Sequence, residues 1–105
     1  MKFRVVVLPR AQQDIADTRH FIANVHGQPL VAERRVDGIE AAIQSLTERP
    51  LRGKAAPERA FWAGDAELRH LLFHHHRILY AVSGDTVCVV HVRRGCRRGL
   101  EPGDV

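Results

Sequence analysis

A chain of 105 residues and 11.8 kDa can bury one modest core, which excludes a two-domain organisation. Hydrophobic residues at 45% and charged residues at 27% are the proportions of a folded soluble protein and exclude a disordered tail. The net charge of +4 is held unevenly: residues 1–48 carry six basic and six acidic side chains, so the whole excess lies from residue 49 onward.

Residues 3–8, Phe-Arg-Val-Val-Val-Leu, are short and β-branched, and Pro9 stops them, which predicts a first strand. Pro9 can then open a helix, where its missing N–H costs nothing. Ala11, Ile15, Ile22 and Val25 recur at helical spacing with Phe21 beside them, Asp14 and Asp17 lie toward the positive end of the dipole, and His26-Gly27 closes the helix. Pro29 opens a second helix whose apolar residues Ala32, Val36, Ile39, Ile43 and Leu46 form a narrow seam. The link from Val25 to Pro29 is short, so the two should form an antiparallel hairpin, ended by Arg49-Pro50.

Residues 50–66 hold Pro50, Gly53, Pro57 and Gly64 without a sustained period and read as a loop, with Phe61 and Trp62 as candidates to pin it to the core. Three strands follow: Glu67 to Phe73, Arg77 to Ser83 and Thr86 to Arg93. Ser83-Gly84-Asp85-Thr86 signals a tight hairpin, and His74-His75-His76 a wider turn. The fold expected is α+β: an N-terminal strand, a helical hairpin, then a three-strand antiparallel meander, with both helices on one face of the sheet. Residues 1–105 form one domain, without internal repeats.

Strict alternation puts Ile78, Tyr80 and Val82 on one face of the sheet and Arg77, Leu79 and Ala81 on the other, with Val87 and Val89 opposite Cys88 and Val90 in the next strand. One set lies beneath the helices. The other leaves Leu79, Ala81, Val87 and Val89 as an apolar patch, covered either by a protein partner or by the chain's own loop.

From Arg69 to Arg98 there are six arginines and five histidines against one carboxylate, Asp85. That points to an anionic partner, nucleic acid or an acidic protein segment. Fourteen of the sixteen cationic residues are arginine, whose planar fork pairs bidentately with phosphate or carboxylate, although codons rich in G and C would enrich arginine too. Arg69, Arg77 and Arg97 fall near strand ends, where three guanidinium groups could converge on a phosphodiester; the bland alternative is a set of solvated charges. His91, mid-strand beside valines, fits a structural residue better than a catalyst, and a buried Tyr80 would need a partner for its hydroxyl. Three successive turn histidines seldom aim at one ion, so His74, His75 and His76 read as a solvated turn and no metal or other cofactor is expected. Glycine-rich phosphate loops, zinc-protease motifs and nucleophile elbows are missing. Met1-Lys2-Phe3 leads straight into a strand, and no apolar run approaches membrane-spanning length, so a cytoplasmic protein without a disulfide between Cys88 and Cys96 is expected.

Four local features together resemble the RelE/ParE toxins of bacterial type II toxin–antitoxin modules: Val5-Val6-Val7-Leu8-Pro9 with Ala11 and Asp14-Ile15; the Leu46 to Pro50 and Gly53 helix exit; Arg69-x-Leu71 with Arg77-Ile78-Leu79-Tyr80; and Val90-His91-Val92-Arg93-Arg94-Gly95-Cys96-Arg97-Arg98. The resemblance spans nearly the whole chain. It implies a small toxin, of the kind used in plasmid stabilisation, held inactive in a hetero-oligomer with a cognate antitoxin. The RelE branch cuts mRNA on the ribosome without metal, and the ParE branch poisons DNA gyrase and is no enzyme. Arg77 matches the RelE arginine before Ile-Leu-Tyr, Arg97 the arginine after the last strand, and Arg69 falls near a basic residue of the preceding strand. The RelE lysine pair and late tyrosine have no counterparts, which leaves His91 as the titratable group for a ribonuclease and favours the ParE branch. On this resemblance Arg69, Arg77, Arg93, Arg94, Arg97 and Arg98 would meet the target or nucleic acid, and Leu79, Ala81, Val87 and Val89 the antitoxin. A non-toxic nucleic-acid-binding module of the same fold is the remaining alternative.

Overall fold

The computed structural model describes residues 2–58 and 66–94. Phe61, Trp62, Cys96, Arg97 and Arg98 lie outside the described residues. The chain runs β1 (Arg4–Val7), α1 (Pro9–His20), a π-helical turn (Phe21–Val25), α2 (Pro29–Gln44), a 3-10 turn (Ser45–Thr47), β2 (Lys54–Ala55), β3 (Glu67–Phe73), β4 (His76–Ser83) and β5 (Thr86–Arg94). The sheet has the order β1-β5-β4-β3-β2, antiparallel throughout except for the parallel β1–β5 pair. This is the expected α+β architecture. It adds the two-residue edge strand β2, which the irregular composition of residues 50–66 hides.

Both helices begin with proline at the first turn, and the α2 seam of Ala32, Val36, Ile39 and Ile43 is buried in full, continued by Leu46 in the 3-10 turn. In α1 the apolar stripe breaks. The π-helical turn, closed by the His26 N–H donating to the Phe21 carbonyl, adds residues to the last turn, and Val25 emerges 64% exposed. Gly38 of α2 lies where an added Cβ would meet the Phe73 ring, so a larger residue there would have to displace that ring.

The sheet alternation is corrected at one point. Leu79 pairs with His91 but Tyr80 pairs with Val89, so Val90 is an extra residue on β5. Such a bulge resets the faces. Val87 and Val89 therefore join Ile78, Tyr80 and Val92 in the main core with Ile39, Ile43 and Leu46. Leu79 and Val90 form a second cluster with Leu68 and Ala56, packed by Leu8. Leu79, Ala81, Val87 and Val89 are at most 5% exposed, so the uncovered apolar patch expected from strict alternation does not exist: the chain covers these residues itself.

Candidate functional site

The arginines of the sheet are held by different partners on different faces. Arg69 sits opposite Tyr80, a core residue of the helix-side face, at the edge where β2 joins β3. Its Nη1 donates to the Gly53 carbonyl at 2.7 Å, and its Nη2 to Glu67 Oε2 at 3.0 Å. The Tyr80 hydroxyl finds its partner in the same loop, accepting from the Gly53 N–H at 2.9 Å. Burial pushes the Tyr80 phenol above its ordinary pKa, against the opposing effects of the Gly53 hydrogen bond, Arg69 and Arg52. A Cβ on Gly53 would stand 2.5 Å from the His70 carbonyl oxygen and 2.6 Å from the Tyr80 hydroxyl, so the junction is built around a glycine.

Arg77 lies on the opposite face, paired in register with Leu72 and Arg93. Its two terminal nitrogens donate to Glu58 at 2.8 and 2.7 Å, a bidentate pair with side-chain exposures of only 15% and 4%. Arg77 Nε also donates to His70 Nδ1 at 3.1 Å. Arginine has no lone pair to offer, so that nitrogen must be unprotonated. Accordingly His70 is held below its ordinary pKa by burial, then by Arg77, with Lys54 adding to the effect and Glu58 opposing it. The convergent arginine edge expected from the sequence is thus corrected: alternation along β3 and β4 puts Arg69 and Arg77 on opposite faces. Arg97 lies outside the described residues.

His91 is 2% exposed, with Nδ1 3.4 Å from Asp14 Oδ2. The same carboxylate oxygen accepts from the Val92 N–H at 3.0 Å, and Asp14 also pairs with Arg10 at 3.4 Å. The cause is the shortness of β1. Its pairing with β5 stops near Leu8, whose N–H donates to the Val89 carbonyl, and beyond that point Asp14 of α1 takes over the β5 edge. Asp14 therefore serves the sheet and not the first turn of α1, which holds no acidic residue. Burial keeps His91 away from any incoming ligand.

The triple histidine divides. His74, with φ of 53°, and His75 form a tight turn, whereas His76 already belongs to β4 and is 5% exposed. The solvated turn expected over all three residues is corrected at His76. Burial, followed by the nearby Arg35 and Arg94 and then His75 and His74, pulls its pKa down to about 4. Arg94 stacks over the Phe21 ring at 4.9 Å. Among the described residues no three His, Cys, Asp or Glu side chains are grouped to hold a metal ion.

Sequence reasoning missed Glu58, the counter-ion of Arg77. Glu58 lies upstream of the basic stretch from Arg69 to Arg98 and reaches Arg77 across 19 positions.

The family described as the ParE toxin of the type II toxin–antitoxin system parDE matches residues 5–98. The chain belongs to this family. A chromosomal ParDE toxin–antitoxin system from P. aeruginosa has a similar fold, with a TM-score of 0.67 and 16% identity over 89% of this chain and 96% of that one. No curated protein matches. The family fold is the setting in which the ParE-type chain places its arginines: Arg69 as a loop clasp, Arg77 as half of a buried ion pair, and Arg93 and Arg94 at the end of β5. Membership in a toxin–antitoxin family implies an antitoxin partner. Among the described residues no helix is long and apolar enough to cross a membrane.

Proposed function

We propose that this ParE-family chain is a cytoplasmic toxin that arrests growth through DNA gyrase, and that a cognate antitoxin neutralises it in a hetero-oligomer. The observation that carries this reading is the separation of Arg69 from Arg77. A metal-independent ribonuclease needs positive charge gathered at one phosphate and a base in reach of the ribose hydroxyl. Here Arg77 is already neutralised by Glu58, Arg69 is occupied with a loop, and His91 is buried against Asp14. A toxin that acts through contacts with a protein target has no such requirement.

On this reading the target meets Arg93 and Arg94 at the end of β5 together with Arg97 and Arg98, while Arg69 and Arg77 hold the framework. The purified chain added to gyrase and relaxed plasmid should block supercoiling or accumulate cleaved DNA, and prior mixing with the antitoxin should abolish the effect. Unaltered supercoiling at a large excess of folded toxin would overturn the proposal.

A further inference from the structure

A recess of about 430 Å³ opens where β4 begins and β5 ends, walled by α1, the π-helical turn and α2. His76 lines it, yet its Nδ1 has no hydrogen-bond partner among the described residues. A buried polar nitrogen left in this state is destabilising, so a ligand that satisfied it would be favoured. Arg94 pairs in register with His76, and Arg35 of α2 lines the same space. Neither of these two arginines has a carboxylate partner among the described residues. The acids of the recess are engaged elsewhere: Asp14 by Val92, Arg10 and His91, and Asp17 by the side-chain amide of Gln13 at 2.8 Å. The recess therefore presents unpaired positive charge and one unsatisfied imidazole nitrogen.

We propose that this recess binds a single carboxylate carried on an acidic peptide segment, with Arg35 and Arg94 supplying the charge and His76 Nδ1–H donating to the carboxylate oxygen. The surroundings favour a peptide over a nucleic-acid backbone. Asp14 and Asp17 on the wall would repel a run of phosphates but tolerate one carboxylate, and Phe21, Ile22 and Val92 offer apolar surface to the stem of a glutamate. A shallower apolar cavity adjoins through His20 and includes Leu30, which is 73% exposed, so an amphipathic peptide could continue along the tip of the helical hairpin. The inference rests on the reading of an antitoxin partner and names where its acidic segment would dock.

The test is titration of the full chain, followed through the His76 ring nitrogens by NMR, with three probes: sodium acetate, a glutamate-containing amphipathic peptide, and a short single-stranded DNA. The peptide should shift His76 saturably, and Arg35→Ala combined with Arg94→Ala should weaken that binding at least tenfold. Lys54→Ala, which removes one charge far from the recess, should leave it unchanged. Arg35→Lys, which keeps the charge and guards against a variant that fails to fold, should give an intermediate loss. An unmoved His76 signal would overturn the site. A loss with Lys54→Ala equal to that with the arginine variants would reduce it to general charge attraction and also overturn it. Tighter binding of DNA than of peptide would overturn the choice of a carboxylate. Toxicity is not the readout, so a His76 signal that the peptide leaves unmoved sinks this inference while the proposed function, read by gyrase supercoiling, stands.

Discussion

Arg77 and Arg94 are one cross-strand pair apart along the β4–β5 ladder, yet they have opposite electrostatic fates. Arg77 is clasped by a buried carboxylate and a neutral imidazole, whereas Arg94 has an aromatic ring and no carboxylate among the described residues. The same residue type is structural in the first setting and available in the second. Counting arginines along a sequence measures charge present, and only the fold says how much of it is free. In a buried bidentate pair the charges have each been removed from water and compensate one another, so neither is left to attract a distant partner.

The largest effect should come from breaking the compensated side. Glu58→Ala leaves Arg77 buried without its counter-ion and should lower unfolding stability by about 3 kcal/mol, measured by urea denaturation. A loss below about 1 kcal/mol would mean that Arg77 reaches water and is as available as Arg94. Replacing both partners, as Glu58→Met with Arg77→Met, should recover most of that loss. Next in size is Gly53→Ala, which drives a methyl group against the Tyr80 hydroxyl and the His70 carbonyl and should cost about 2 kcal/mol. It should also loosen the docking of Arg69 on the loop, visible as faster amide exchange at Gly53.

The recess side predicts a pH effect of definite sign. His76 titrates near 6.5 when unfolded and at about 4 when folded, so the folded state resists protonation. Stability from this group is complete above pH 6.5 and falls as pH drops from 6.5 toward 4, by about 1 kcal/mol per pH unit before other groups are counted. Substituting His76→Gln should flatten that part of the stability profile, while a slope unchanged by the substitution would assign it to other groups such as His70. The smallest effect should be that of Arg94→Ala, about 0.5 kcal/mol from the lost stacking on Phe21. A much larger loss would place Arg94 among the structural arginines and erase the contrast with Arg77.

Much of the fold is legible in the sequence because its signals are local. Pro9 and Pro29 mark both helix starts, the spacing from Ala32 to Leu46 gives the buried seam, and Gly84-Asp85 marks the hairpin between β4 and β5. The candidate site is less legible because it depends on contacts between distant residues. The bulge at Val90 carries no residue signature, and one added residue is enough to move Val87 and Val89 from an imagined surface patch into the core. Glu58 meets Arg77 across 19 positions, and the Val92 N–H meets Asp14 across 78, so neither the ion pair nor the hydrogen bond follows from periodicity. His76 looks like its two neighbours in a run of identical residues. Only the tightness of the turn at His74 shows that the third histidine has entered the strand.

The central claim is that the free charge at the end of β5, and not the Arg77 cluster, carries the toxic activity. Its most direct test is gyrase supercoiling in the presence of two folded variants, Arg93→Ala with Arg94→Ala and Glu58→Met with Arg77→Met. The first should lose at least tenfold in inhibition, and the second should inhibit like the parent chain. Full inhibition by the first and none by the second would contradict the account.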